Sequence, residues 1–129
     1  MTMRVTRILH HSVNVAGALD PATGFYQQVF GLTDAVRPDI PGVGGHWFSV
    51  GDAQIHLVDA DAGDGAIRPT GPHVCLGVED LAAAEAELEA AGIATVAFGD
   101  GAGRQVWVAD PAGHTIELQQ DPEGSPTRR

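Results

Sequence analysis

The chain repeats itself, and that internal echo constrains its fold more than any other feature. His10 opens the segment HHSVNV and His73 opens HVCLGV, each five residues ahead of a valine, Val15 or Val78. Each segment leads into a helix-like stretch that ends at Gly31-Leu32 or Gly92-Ile93. Each half then closes on an alternating segment, QIHLV around His56 and TIELQ around Glu117, 46 and 44 residues after the first histidine. Aligning the halves superimposes His10 on His73 and His56 on Glu117. A duplicated unit with one imidazole early and one imidazole or carboxylate late is suited to closing four ligands around a divalent metal.

The local signals give each half the same element order. Alternation over 8–15 predicts a strand, and Asp20-Pro21 gives an N-cap with proline in the first helical position. Phe25, Val29 and Phe30 supply the apolar stripe, and Gly31 is placed to end the helix in a left-handed conformation. Strands near 33–37, 46–50 and 54–59 follow, the last two joined at Gly51-Asp52. The aperiodic ADAGDGAIRPTG, residues 60–71, reads as the link between halves. The order then recurs: a strand over 73–78, a helix capped by Asp80 with Leu81, Ala84, Leu88 and Ala91 at helical spacing, a stop at Gly92, and strands near 93–98, 104–109 and 114–120. The pattern predicts an α+β fold, two βαβββ half-units over about 7–59 and 72–120 forming a curved mixed sheet within one domain, 1–129, with a tail over 122–129.

Strand alternation sets which side chains share a face. It groups His10 with Ser12 and Asn14, His56 with Gln54 and Val58, His73 with Cys75 and Gly77, and Glu117 with Thr115 and Gln119. The opposite faces, Leu9/Val13/Val15, Ile55/Leu57, Val74/Leu76/Val78 and Ile116/Leu118, are apolar and suited to packing under helices. All four candidate ligands fall on the more polar side. One strand histidine is more often a hydrogen-bonded structural residue, but three with a carboxylate on a shared face point to a metal pocket.

Charge and composition exclude other classes. With 7 basic against 17 acidic residues the net charge is -10, which repels phosphate backbones and anionic lipid, so neither nucleic acid nor membrane is an expected partner. A small anionic substrate stays compatible, because a buried cation inverts the local field. The single cysteine, Cys75, cannot form an intrachain disulfide, and MTMRVTRILHH lacks a signal-peptide apolar stretch, so a cytoplasmic location is expected. Glycines 42, 44 and 45 are not followed by Gly-Lys-Ser/Thr, so a phosphate-loop reading fails; they and Gly99–Gly103 read as lids over the site. Trp47, Phe48 and Trp107 are candidate substrate-cavity residues, and His46 a candidate at its mouth. His11 and His114 read as rim or hairpin residues, and Cys75 as a small buried filler.

The segments RILHHSVNV, FYQQVFGL, GDAQIHL, GPHVCLGVEDL and VADPAGHTIEL, in this order and spacing, resemble the vicinal oxygen chelate superfamily over roughly residues 7–120. That superfamily includes glyoxalase I, methylmalonyl-CoA epimerase, fosfomycin-modifying enzymes, extradiol dioxygenases and bleomycin-resistance proteins. The resemblance implies metal ligands at His10, His56, His73 and Glu117, with one divalent ion (zinc, nickel, manganese or iron), a small-molecule substrate and a homodimer. Glyoxalase I usually carries a carboxylate where this chain has His56, and the epimerase a glutamine.

Four ligands in an octahedron leave two adjacent positions, enough to chelate vicinal oxygens; a facial His-His-carboxylate set leaves three, which admits dioxygen as well. Counting His56 as a ligand therefore favours a glyoxalase-like lyase or isomerase, with Glu117 as ligand and general base. An Fe(II) extradiol-type dioxygenase and a metal-free drug-binding protein are the alternatives.

Overall fold

The computed structural model describes residues 3–123. The chain runs β1 (Val5–Asn14), α1 (Leu19–Gln28), β2 (Thr33–Asp34), β3 (Gly44–Val50), β4 (Ala53–Asp59), β5 (His73–Val78), α2 (Leu81–Ala90), β6 (Val96–Phe98), β7 (Gln105–Ala109) and β8 (Thr115–Gln120). The βαβββ order thus occurs twice. All eight strands form one mixed sheet in the order β2-β3-β4-β1-β5-β8-β7-β6. Within each half the first and last strands run parallel, β1 with β4 and β5 with β8, and the halves join through the antiparallel pair β1–β5. The four strands that carry His10, His56, His73 and Glu117 are therefore adjacent at the centre.

The helices are unequal. Asp80 caps α2 by accepting from Ala83 N at 3.0 Å, and Leu81, Ala84 and Leu88 bury into a core with Val78, Val106 and Leu118. In the first half Phe48 and Leu57 are fully buried, but α1 buries no residue, and Phe25, Val29 and Phe30 remain 50%, 61% and 59% exposed. The expected stripe on α1 therefore does not become core. Helix α1 begins at Leu19 after Ala18, which makes no side-chain cap bond, so Asp20 and Pro21 lie in its first turn instead of at its entrance. Gly31 and Gly92 take positive φ values of 66° and 72° after their helices, as the sequence predicts.

Two further expectations are corrected. A register shift between Ile8 and His10 on β1 breaks strict alternation, so Leu9 reaches the concave side beside Arg7 and His10 instead of packing with Val13. Gly44 and Gly45 belong to strand β3, not to a lid. Among the described residues no helix is long and apolar enough to cross a membrane.

Candidate metal centre

Strand register assembles the site in two adjacent cross-strand rows. One row reads Trp47, His56, Ser12, His73 and Thr115 across β3, β4, β1, β5 and β8. The next reads Gln54, His10, Cys75, Glu117 and Trp107 across β4, β1, β5, β8 and β7. Residues two apart on a strand share a face, so both rows look into the same hollow. His10, His56, His73 and Glu117 are all buried, at 7%, 6%, 7% and 1% exposure.

Three donor atoms converge. His10 Nε2 and His73 Nε2 are 3.2 Å apart, and each lies 3.2 Å from Glu117 Oε1. Ligands at about 2.1 Å from a metal and at right angles to one another sit about 3.0 Å apart, so this nearly equilateral triangle fits one face of an octahedral ion. The surroundings fit as well. His73 Nδ1 donates to Gly71 O at 2.8 Å, which in a neutral ring leaves the Nε2 lone pair facing the triangle. Glu117 Oε2 accepts from Gln119 Nε2 at 2.6 Å and Gln105 Nε2 at 3.0 Å, so only Oε1 is directed at the histidines. Burial would raise the Glu117 pKa, but its close contacts with the His10 and His73 rings and the bond from Gln119 outweigh it and hold the group well below the usual carboxylate range. A carboxylate so tightly held suits a ligand better than a mobile base.

His56 does not join the triangle. Its Nε2 bonds Gln54 Oε1 at 2.8 Å, and its ring is clamped between Trp47, 3.7 Å away and nearly parallel, and His10 at 3.8 Å. Because Gln54 Oε1 accepts, Nε2 carries the proton and Nδ1 keeps a lone pair. Burial, reinforced by repulsion from His10, pushes the His56 pKa down to about 3. Cys75 is fully buried in the row between His10 and Glu117, and its sulfur lies within 4.8 Å of their ligand atoms. Burial, then the Glu117 charge, pushes its thiol pKa well up.

A cavity of about 490 Å³ opens over the triangle. Trp47 and Trp107 line it; Phe48 does not, because alternation along β3 turns it to the opposite face against Tyr26, with ring centroids 5.8 Å apart. His46 shares the Phe48 side and bonds Asp34 at 2.7 Å, so it is not at the cavity mouth. His11 and His114 are exposed. Gly103 lines the cavity from a short 3-10 turn over Gly101–Gly103. Arg37, Gln105 and Gln119 are not among the functional candidates that the sequence singles out. The glutamines could have been found, since Gln119 shares the phase of Glu117; nothing local singles out Arg37.

The sequence profile described as "Glyoxalase/Bleomycin resistance protein/Dioxygenase superfamily" matches residues 8–118. The chain belongs to this superfamily. No curated protein sequence matches it significantly. Among solved structures, a hypothetical protein of Bacillus halodurans C-125 is similar with a TM-score of 0.71 and 17% identity, over 92% of this chain and 96% of that one. A glyoxalase/bleomycin resistance protein/dioxygenase superfamily member from Vibrio splendidus 12B01 is similar with a TM-score of 0.61 and 16% identity, over 93% and 100%. At these identities both speak to the fold. The 2,3-dioxygenase LapB of Pseudomonas sp. KL28 is similar with a TM-score of 0.68 and 26% identity, over 94% of this chain but 42% of the dioxygenase.

Proposed function

We propose that this superfamily member is a mononuclear metal enzyme that cleaves a small aromatic diol with dioxygen, in the manner of an extradiol dioxygenase. The observation that carries the reading is the triangle of His10, His73 and Glu117 with His56 turned to Gln54. Three protein ligands leave three positions, two for vicinal oxygens and one for dioxygen. The likeness to the 2,3-dioxygenase supports the same choice. Iron(II), when bound, would supply chelation of the diol and activation of dioxygen. Both oxygen atoms enter the product as the ring carbon–carbon bond beside the diol breaks, so no external reductant is needed.

The chain's own residues divide the remaining work. Trp47 and Trp107 form apolar walls for a flat ring. His56, with Nε2 spent on Gln54 and its ring kept neutral by burial, leaves Nδ1 as a hydrogen-bond acceptor for a substrate hydroxyl. Gln105 and Gln119 keep Glu117 oriented. One observation favours a second reading: the His56 ring lies only 3.8 Å from that of His10, close enough to serve as a fourth ligand once reoriented. The glyoxalase-like lyase or isomerase chemistry would then follow. Oxygen uptake by iron-loaded protein with catechol separates the two. Uptake matching ring-opened product supports cleavage; turnover of substrate without oxygen uptake supports the second reading.

We also propose a homodimer, because Phe25, Val29 and Phe30 leave an apolar surface on and beyond α1.

A further inference from the structure

The chain holds 17 acidic and 7 basic residues, so an arginine without a carboxylate partner is unexpected. Arg4 pairs with Glu79, Arg7 with Asp121, Asp52 and Glu123, and Arg104 with Glu85. Arg68 makes no ion pair among the described residues and does not line the cavity over the triangle; Arg37 likewise makes none, although Asp39 is two positions away. It lies in the segment between β2 and β3 and lines the same cavity as the triangle. Its Nη2 donates to Val43 O at 2.7 Å, which fixes the guanidinium.

Gly45 makes the berth. A Cβ on that residue would lie 3.0 Å from Arg37 Nε and 3.2 Å from Nη2, and only 2.5 Å from Leu57 O. The absence of a side chain there lets the guanidinium lie against β3. Its Nε is buried without an acceptor. A buried guanidinium N–H without an acceptor is costly unless a ligand group completes it. Its rigid fork matches a carboxylate or a phosphate-type group.

We propose that Arg37 binds an anionic group of the substrate, so the substrate class is a small vicinal diol carrying a carboxylate or phosphonate, not a neutral one. This rests on the metal-chelate reading above for the diol, but not for the anion. A bound divalent ion and Arg37 together outweigh Glu117, making the cavity locally positive within a chain of net charge -10.

The test titrates the full-length, metal-loaded protein with catechol and with 3,4-dihydroxybenzoate, following tryptophan fluorescence. The carboxylated diol should bind at least about tenfold tighter, the scale of a charge-assisted hydrogen bond. In Arg37→Gln the ratio should fall to near one, and Arg37→Lys should recover part of it. Benzoate and phenylphosphonate, which cannot chelate through a diol, are titrated in parallel, and the tighter of the two identifies the anion type. If catechol fails to bind the wild type, the metal-chelate reading suffers. Arg37 is then judged by these two anions alone: loss of their binding in Arg37→Gln supports the assignment. An undiminished preference for the anionic ligands in Arg37→Gln overturns it.

Discussion

Glu117 is held by four side chains, with its two oxygens given different duties. Oε1 meets His10 and His73, while Oε2 is tied to Gln105 and Gln119. Such holding groups commonly matter 10–100-fold for metal affinity. Gln119→Leu should therefore weaken metal binding by roughly that factor in a chelator competition, with the circular dichroism spectrum unchanged. Asp121 provides a test away from the site. Burial would raise its pKa, but Thr6, the Glu123 N–H and Arg7 hold it down at about 2. Because the folded value lies below the unfolded value of about 3.9, the stabilisation is complete above that value and is lost as pH falls from there toward 2. Asp121→Asn should destabilise by about 1–3 kcal/mol in urea at pH 7. The gap to wild type should shrink at pH 3.

At the scale of elements, β5 was legible to the residue because His73-Val74-Cys75-Leu76-Gly77-Val78 alternates between turn residues and a capped helix. Helix α2 was equally clear, with Asp80 at its start and Gly92 beyond its end. The phase of His10, His56, His73 and Glu117 was also readable, since period-two alternation fixes faces. What alternation could not give was ring orientation: whether His56 turns to the triangle or to Gln54 depends on a side-chain torsion, not on strand phase. Nor could it show the shift at Ile8/His10, which depends on the partner strand. Strand 33–37 shrank to Thr33–Asp34, with Arg37 drawn into the cavity wall. Because α2 supplies buried core and α1 does not, Leu88→Ala should cost about 2–5 kcal/mol in urea unfolding. A loss below about 1 kcal/mol would contradict that packing.

Across the whole molecule, the β1–β5 pair brings both half-units into one sheet, so one chain supplies His10, His73 and Glu117 together. Dimerisation is therefore not needed to complete the triangle. The edge strands β2 and β6 are only two and three residues long, so edge pairing is a weak reason to associate. The exposed Phe25 and Phe30 are the better one. Sedimentation should show a dimer at micromolar concentration, converted to a folded monomer by Phe25→Ser with Phe30→Ser. On the proposed reading, His10, His73 and Glu117 hold the metal and His56 stands beside it. The most direct test is metal content per chain after equilibration with one equivalent of iron(II) and gel filtration without oxygen. His56→Ala should retain close to one ion per chain, whereas His73→Ala with Glu117→Ala should retain none. An empty His56→Ala protein, or a double variant still fully loaded, would overturn this ligand assignment.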